Sequence, residues 1–444
     1  MPTSTDLDSN RVAFWYAGVG FLGAVALVIL PDIISLLSWP KWTLYVGYIF
    51  TTIVIGGIFF TIHRTAGITK PVDITLVTYS GYDHYLRSVA PIIRRTLKIN
   101  IITHTYMGED IFPLLQRVNA DLLIFDIEHR SLLTSLTNER RLISLAEISR
   151  YASQFPDVGE LVDVTVPALI PRVNNRAVGF PIRIGTNAIS YNRHFVGHHG
   201  SAHSLYDLLF GSSTLSEKLR GERRIGIWNR QSVVMGLISL AIGHKSPYRL
   251  SSSQFTSLCE HLTQLRRFAA RLYWGPSDYL RLREDLNEGL IWLGVGGGEW
   301  HVDTRYSKSR SKFPHIEWSI PKEGALLWVE SVGITHGGLA RLLSTPLSVD
   351  TLVDMIRTYL LSVEAQHALS VDHLYAACPA SYHHLMASEA APYAYSYLGF
   401  ASAEELTKRI TDNTLVFREG PPQDDTDGFV PASEWNRFWT NQWL

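Results

Sequence analysis

Two charge-free stretches near the amino terminus constrain this chain more than any other feature of its sequence. Residues 12–31 (VAFWYAGVGFLGAVALVILP) and 42–63 (WTLYVGYIFTTIVIGGIFFTIH) contain no Asp, Glu, Lys or Arg. About 20 apolar residues in a helix cross the roughly 30 Å hydrocarbon core of a bilayer. Aromatic residues that favour the headgroup level lie at the ends of both stretches. We therefore predict a transmembrane helical hairpin within residues 1–70.

The alternative for this region is a cleaved signal peptide followed by a buried helix. The acidic start of the chain and the lack of an A-x-A cleavage pattern after the first stretch favour the hairpin. Two spans place both chain ends on one side of the membrane. The few flanking positive charges (Arg11, Lys41, Arg64 and Lys70) lean faintly towards a cytoplasmic main domain.

Length and charge limit the classes of protein to consider. A chain of 444 residues that is 46% hydrophobic is expected to fold into more than one domain or lobe. Its 40 Lys and Arg nearly balance 41 Asp and Glu, so no overall positive field attracts nucleic acid. The two cysteines, Cys259 and Cys378, exclude a disulfide-rich scaffold and a thiolate zinc site.

Three short β-branched runs separated by amphipathic stretches follow the hairpin. They are DITLVTY (73–79), KINIITHTY (98–106) and DLLIFDI (121–127). This alternation is typical of an α/β domain with a parallel sheet. In open sheets of this kind, ligands bind beyond the carboxyl ends of the strands. The residues that this rule puts at the rim of a cleft are Tyr79, Ser80, Tyr82, Asp126 and Glu128.

Two later extended segments, residues 177–193 and 316–334, are predicted to cross between lobes. Two crossings divide this part of the chain into two lobes. The first lobe is predicted to contain residues 71–180 and 317–444, the latter including a carboxyl-terminal helical tail. The second lobe is predicted to contain residues 181–316.

Two local predictions concern segments outside the crossings. Residues 253–273 (SQFTSLCEHLTQLRRFAARLY) have helical spacing and predict one helix. Residues 418–428 (REGPPQDDTDG) are polar and rich in Pro and Gly, which predicts a solvated loop before the Trp-rich tail.

Three motifs resemble the spermidine/putrescine-binding branch of the bacterial extracellular solute-binding proteins. They occur in family order as GFPIRIGTNAISYN (179–192), NEGLIWLGVGG (287–297) and IPKEGALLWVES (320–331). The resemblance implies a two-lobed periplasmic-binding-protein fold with a hinge, here preceded by two transmembrane helices. It also implies an ABC-type permease as partner.

Carried over by position, the resemblance implies a ligand site made of aromatic and acidic side chains. Aromatic faces attract alkyl cations and carboxylates accept ammonium hydrogens, so such a site suits a polyamine. The family pattern makes Trp292 a ring stacked on the ligand. The further implied contacts are Tyr79, Ser80, Tyr82, Asp126, Glu128, Trp328 and Glu330.

One segment departs from the family pattern. Residues 224–234 (RIGIWNRQSVV) offer Arg230 where the family has acidic residues. An arginine that faced a polycation would repel it. Arg230 therefore either pairs with Glu330, Asp126 or Glu128, or binds an anionic end of the ligand, or ligand binding has been lost.

We expect a membrane-anchored solute-binding protein that takes a small cationic or zwitterionic solute, such as a polyamine, an amino acid or a phosphonate. The expected location is the bacterial inner membrane. The soluble part is expected to face the periplasm, against the lean of the flanking charges, because a solute receptor needs its cleft outside the cytoplasm. No motif of an enzyme is present, and we expect no cofactor and no metal. The alternative is an accessory or structural subunit of a membrane complex that keeps the fold with a degenerate cleft.

Overall fold

The structure, a computed structural model, describes residues 71–79, 83–106, 111–148, 150, 169–197, 203–298, 315–345, 348–362, 365, 403–425 and 427–443. Residues Val72–Leu444 form one compact unit. In the described part of the chain, no helix combines the length and the apolar character that crossing a membrane requires. The predicted hairpin, Ser80 and Tyr82 lie outside the described residues, and the proposed lobe boundaries stay predictions.

The strands carry the apolar, β-branched runs of the sequence. Those between two packed layers, such as the strand Leu122–Asp126, are buried at every position, as expected for sheets covered on both faces. The strands are β1 (Val72–Tyr79), β2 (Ile99–Tyr106), β3 (Leu122–Asp126), β4 (Arg172–Val173), β5 (Arg176–Ala177), β6 (Phe180–Asn192), β7 (Ile225–Trp228), β8 (Ala269–Tyr273), β9 (Leu293–Gly298), β10 (Ile316–Ser319), β11 (Ala325–Ile334) and β12 (Leu415–Phe417).

The α-helices connect these strands and cover the sheet. They are α1 (Asp83–Leu97), α2 (Ile111–Arg117), α3 (Arg130–Asn138), α4 (Leu145–Ile148), α5 (Arg193–Val196), α6 (Leu205–Phe210), α7 (Thr214–Gly221), α8 (Gln231–Ala241), α9 (Ser252–Phe268), α10 (Gly275–Asn287), α11 (His336–Leu343), α12 (Val349–Ile356), α13 (Ala403–Thr411) and α14 (Ala432–Phe438). A 3-10 turn follows β3, and π-helical turns follow α12 and α14.

The prediction of one helix over residues 253–273 is wrong at its carboxyl end. A capping box between Ser251 and Gln254 begins α9, and the helix ends at Phe268. The next five residues form β8, which pairs in parallel with β7. Sheet pairing therefore overrides the helical spacing of the sequence there.

One mixed sheet organises the described unit, in the strand order β2-β1-β3-β11-β6-β9-β7-β8. Its ends are two parallel trios, β2-β1-β3 and β9-β7-β8. The long antiparallel strands β6 and β11 join them. Every residue of β6 and β11 is buried, and separate hydrophobic clusters surround each trio.

The carboxyl ends of both trios point towards the same central stretch of β6 and β11. At one end, β3 runs towards Asp126, which pairs with Glu330. At the other, β9 runs from Leu293, opposite Tyr191, to Gly298, opposite Asn187. Ligands of open α/β sheets bind beyond these carboxyl ends, so the topology places the candidate site at the centre of the sheet.

The carboxyl-terminal segment returns to this centre and then leaves it. Strand β12 pairs in parallel with residues 325–327 of β11. Gly324 permits this close approach, since its φ is +117° and an added Cβ would lie 2.6 Å from the Thr414 carbonyl oxygen. Beyond it, Trp435, Phe438 and Trp443 pack into the hydrophobic cluster of the β9-β7-β8 trio. The tail thus packs on the half of the sheet that the second lobe was predicted to supply.

Candidate functional site

The three predicted acidic residues converge at the centre of the sheet. Asp126 is the last residue of β3 and pairs with Glu330 of β11. Glu128 lies in the 3-10 turn that follows, where its backbone N–H donates to Asp126 Oδ1 at 3.0 Å. Strand direction alone brings these carboxylates together, because β3 ends opposite the middle of β11.

Glu330 is neutralised by Arg183, which is its neighbour across β6 and β11. The Arg183 guanidinium donates two hydrogen bonds to Glu330 Oε2, and the one from Nε is 2.7 Å long. The two side chains are only 2% and 7% exposed. The indole of Trp328 lies 5.8 Å from Arg183 Cζ, within cation–π range.

Asp126 and Glu128 share the guanidinium of Arg418, the residue that follows β12. Arg418 donates to Asp126 Oδ2, lies 2.9 Å from Glu128 Oε2 through Nε, and donates to Asn187 Oδ1 at 2.6 Å. Its side chain is 4% exposed. The prediction of a solvated loop beginning at Arg418 is therefore wrong at its first residue, because this side chain is buried and its guanidinium binds buried acceptors.

Arg230 completes the group by pairing with Glu128 at 2.7 Å. It follows β7, so this ion pair joins the two ends of the sheet. Ser232 donates to the other carboxylate oxygen of Glu128 at 2.7 Å. Of the three alternatives for Arg230, the structure shows the first, pairing with an acidic residue.

These six residues form what we call the charge cluster. Its three carboxylates and three guanidinium groups cancel in formal charge, which lowers the desolvation cost of burying them together. The members of the charge cluster are Asp126, Glu128, Arg183, Arg230, Glu330 and Arg418.

The surroundings of the charge cluster set its protonation states. Burial by itself would raise the pKa of Glu128, but the guanidinium groups of Arg230 and Arg418 outweigh it and lower this pKa to about 2. Burial and the carboxylates of Glu330 and Asp126 raise the pKa of the Tyr106 phenol well above its ordinary value. Glu128 is therefore a carboxylate at neutral pH, and Tyr106 stays a neutral donor to the Ile124 carbonyl oxygen.

Two predicted aromatic residues lie beside the charge cluster. Tyr79 ends β1, and its ring makes an edge contact with the ring of Tyr106 at 5.6 Å between centroids. Trp328 is 5% exposed and lies against Arg183. Both are close enough to shape the site from within the sheet, and their contact with a ligand stays a prediction.

Trp292 lies elsewhere, which corrects its predicted place in the ligand site. Its carbonyl oxygen accepts from the Asn192 N–H, nine residues along β6 from Arg183, or about 30 Å in an extended strand. Its ring stacks on Phe195 with centroids 4.7 Å apart. The residue precedes β9, so strand direction puts it at the edge opposite the carboxyl ends.

A pocket of about 1220 Å³ opens beside Glu128 and Arg230. Its walls come from both ends of the sheet and from the carboxyl-terminal segment, including Phe417 and Glu419 on either side of Arg418. Pockets for small molecules are typically about 300–1,000 Å³, so a small solute fits here. An ion pair with both signs of charge forms part of the wall.

Sequence reasoning missed two of the three arginines in the charge cluster. Arg183 has a recognisable signal, since it is the only charged residue in the buried strand β6. A charge there predicts a buried partner. Arg418 has no such signal, because it opens a polar Pro- and Gly-containing segment that resembles a surface loop.

No family model matches the sequence, and no curated protein matches it. Solved structures do match. The spermidine/putrescine ABC transporter substrate-binding protein PotD of Streptococcus pneumoniae is 12% identical with a TM-score of 0.54, over 83% of this chain and 97% of that chain.

Two further structures are similar over nearly their whole length. A putative spermidine/putrescine ABC transporter protein of Listeria monocytogenes is 14% identical with a TM-score of 0.55, over 83% of this chain and 98% of that one. A Thermotoga lettingae solute-binding protein bound to α-D-tagatose is 12% identical, also with a TM-score of 0.55, over 84% and 98%.

The chain has the periplasmic-binding-protein fold. This confirms the predicted α/β fold class and, at the level of fold, the resemblance to the spermidine/putrescine-binding branch. In this binding-protein fold, the pocket beside Glu128 and Arg230 lies where the carboxyl ends of both trios meet. At identities of 12–14%, the likeness is one of fold.

The Arg183–Glu330 pair gives a first prediction. Arg183→Met leaves Glu330 buried without a counter-ion and should lower the free energy of unfolding by about 3–5 kcal/mol. The double variant Arg183→Met/Glu330→Leu should recover most of this loss, because no buried charge remains. Urea unfolding midpoints at unchanged m-value measure both effects.

The matched control for this prediction is Arg437→Met. Arg437 pairs with Glu434 on the surface, with side chains 69% and 39% exposed, and its loss should cost about 1 kcal/mol or less. If Arg183→Met were no more costly than Arg437→Met, the buried pair would not have the role assigned to it.

Glu128 gives a second prediction, on the pH dependence of stability. Its folded-state pKa of about 2 lies below the ordinary 4.5. Glu128 therefore stabilises the fold above pH 4.5, and this stability is lost as the pH falls towards 2. The full effect is about 3 kcal/mol.

Between about pH 5 and about pH 3, the unfolding free energy of Glu128→Gln should therefore fall less steeply than that of the unaltered chain. Urea unfolding at the two pH values measures this slope. Glu434→Gln, in an exposed pair, serves as the control and should keep the slope of the unaltered chain. Parallel slopes for Glu128→Gln and the unaltered chain would show that the Glu128 carboxylate is not held ionised by its arginines.

Proposed function

We propose that this chain is the solute-binding protein of an ABC-type uptake system and that it holds a small zwitterionic solute in the pocket beside Glu128 and Arg230. The single observation that carries the proposal is this pocket, walled by both ends of the sheet in a binding-protein fold. Similar solved structures are ABC transporter substrate-binding proteins. A permease in the same membrane is the partner that this function requires.

The charges of the pocket wall favour a zwitterion over a polyamine. Each carboxylate of the charge cluster already has an arginine partner, so a polycation has no free acceptor among Asp126, Glu128 and Glu330. A solute with one carboxylate and one ammonium group can exchange partners with the Glu128–Arg230 pair and leave the total charge unchanged. Charge-assisted hydrogen bonds of this type orient a ligand as well as bind it.

A thermal-shift screen of the unit Val72–Leu444 tests this function. Amino acids, their N-substituted derivatives, phosphonates and polyamines form the panel. A solute at 100 times its dissociation constant stabilises the folded state by about 2.7 kcal/mol. We expect a zwitterionic member of the panel to raise Tm, and Glu128→Gln and Arg230→Met to remove the response.

Arg271→Met is the matched control for the screen. Arg271 pairs with Asp285 at 2.7 Å, the same length as the Arg230–Glu128 pair, but in β8 and α10. Its loss should leave the response to solute intact. Stabilisation by polyamines alone would overturn the proposal that the solute is a zwitterion. If no member of the panel stabilises the protein, the proposal of solute binding is overturned.

The second candidate is an accessory or structural subunit of a membrane complex that uses the same fold. It is favoured by the complete internal pairing of the charge cluster, which stabilises one arrangement of the two sheet ends without a solute. Small-angle scattering distinguishes the two candidates. A binding protein that closes on its solute should contract when the solute identified in the screen is added, whereas a structural subunit should keep one radius of gyration with every member of the panel.

We also propose that residues 12–31 and 42–63 anchor the protein in the bacterial inner membrane, with the described unit on the periplasmic side. Two charge-free stretches of this length support a hairpin anchor. A tether of this kind keeps a receptor at high effective concentration near its permease. The full chain should stay with membranes after a high-salt wash, and the chain without residues 1–70 should be released. Retention of the shortened chain would contradict the anchor.

A further inference from the structure

The carboxyl-terminal segment places a cation where a solute cation would bind. In open α/β sheets, ligands bind beyond the carboxyl ends of the strands, which is where Asp126 ends β3 and Glu128 follows it. Asn187, at the middle of β6, adds a third acceptor. All three acceptors converge on the guanidinium of one residue, Arg418.

The path of the chain explains how Arg418 reaches this position. Strand β3 is antiparallel to β11 and ends opposite Glu330, whereas β12 is parallel to β11 and ends opposite Leu327. The two strands therefore run towards each other along the same edge of β11. Arg418 comes immediately after β12, held by a backbone hydrogen bond from its N–H to the Leu327 carbonyl oxygen at 2.9 Å.

Arg418 lies at the boundary between the pocket and the sheet. The residues on either side of it, Phe417 and Glu419, line the pocket, as does its partner Glu128. The Arg418 side chain itself is buried beneath that wall. Removal of the side chain would therefore open a guanidinium-sized space next to the pocket, lined by Asp126, Glu128 and Asn187.

We infer that Arg418 is a tethered cation that fills the cation subsite of the cleft and thereby excludes polyamines from Asp126 and Glu128. The subsite keeps the acceptors that a cationic ligand group needs, but they are already used within the chain. Arg418 is thus a specificity-determining residue. The inference rests on the proposed function only for the location of the cleft.

Chemical rescue of Arg418→Ala tests this inference. The substitution keeps Cβ, so N-ethylguanidinium restores the missing atoms of the side chain, and N-ethylurea is its uncharged isostere. Arg418→Ala leaves two carboxylates with too little positive charge and should lower Tm by on the order of 5 °C. N-ethylguanidinium at about 10 mM should recover about half of this loss with saturation, as expected of a bound ligand.

Three comparisons make the result specific. N-ethylurea should not restore the Tm of Arg418→Ala, and N-ethylguanidinium should not change the Tm of the unaltered chain, whose subsite is occupied. The double variant Arg418→Ala/Asp126→Asn regains charge balance in the cluster. It should be more stable than Arg418→Ala and should not respond to N-ethylguanidinium.

A second arm tests the exclusion of polyamines. Isothermal titration with putrescine should give at least a tenfold gain in affinity for Arg418→Ala over the unaltered chain, since Asp126 loses its arginine partner and Glu128 loses one of its two. Equal putrescine affinities would overturn the inference, as would equal rescue by N-ethylurea. If Arg418→Ala does not fold by itself, the test is its yield of folded protein after refolding with N-ethylguanidinium or with N-ethylurea. Equal yields with the two compounds would overturn the inference.

These outcomes are separate from those of the solute screen. An unaltered chain that binds no solute would overturn the proposed function and leave the rescue of Arg418→Ala unaffected. Rescue that fails while a zwitterion still stabilises the unaltered chain would overturn only the role of Arg418.

Discussion

The meeting of β3 and β12 on one edge of β11 is the constraint on which the site depends. Both strands end opposite the centre of β11, one from each direction. Without Arg418, Asp126 would be buried without this counter-ion and Glu128 would keep only Arg230, at a cost of several kcal/mol for the unpaired charge. Arg418 removes this cost because it arrives with β12, and the sheet can therefore place acidic residues at its centre.

The charge cluster connects parts of the chain that are far apart in sequence. Arg230 and Glu128 join the two ends of the sheet, and Arg418 joins the carboxyl-terminal segment to β3 and β6. Ion pairs that are buried this deeply add little to stability compared with well-packed apolar residues, but loss of one partner is costly. We therefore assign the cluster a role in fixing one arrangement of the central strands, and its contribution to net stability is secondary.

The fold was accessible from sequence because hydrophobic patterning encodes it. The runs in β1, β2 and β3 predict the parallel pairing that these strands show, but patterning did not reveal that β6 and β11 are antiparallel strands of one mixed sheet. The end of α9 was not accessible, because pairing with β7 decides it. The position of Asp126 could be predicted from sequence because strand direction settles it. Its partner Arg418 could not, because a distant segment of the chain supplies it. The position of Trp292 was predicted wrongly because a motif identifies the strand to which a residue belongs and not the edge of the sheet at which it lies.

The carboxyl-terminal segment also limits how the two halves of the sheet can move. Strands β6 and β11 are two connections between the trios, and the chain from β12 to α14 is a third. Trp443 reinforces it by donating to Asn229 Oδ1 at 2.5 Å, next to Arg230. In the hinge motion that a binding protein requires, opening of the pocket would separate Arg230 from Glu128, and the contacts of Arg418 and the packed tail would oppose that separation. The zwitterionic solute that we propose would offset this loss directly, because its two charged groups would replace the ion-pair partners that Glu128 and Arg230 lose.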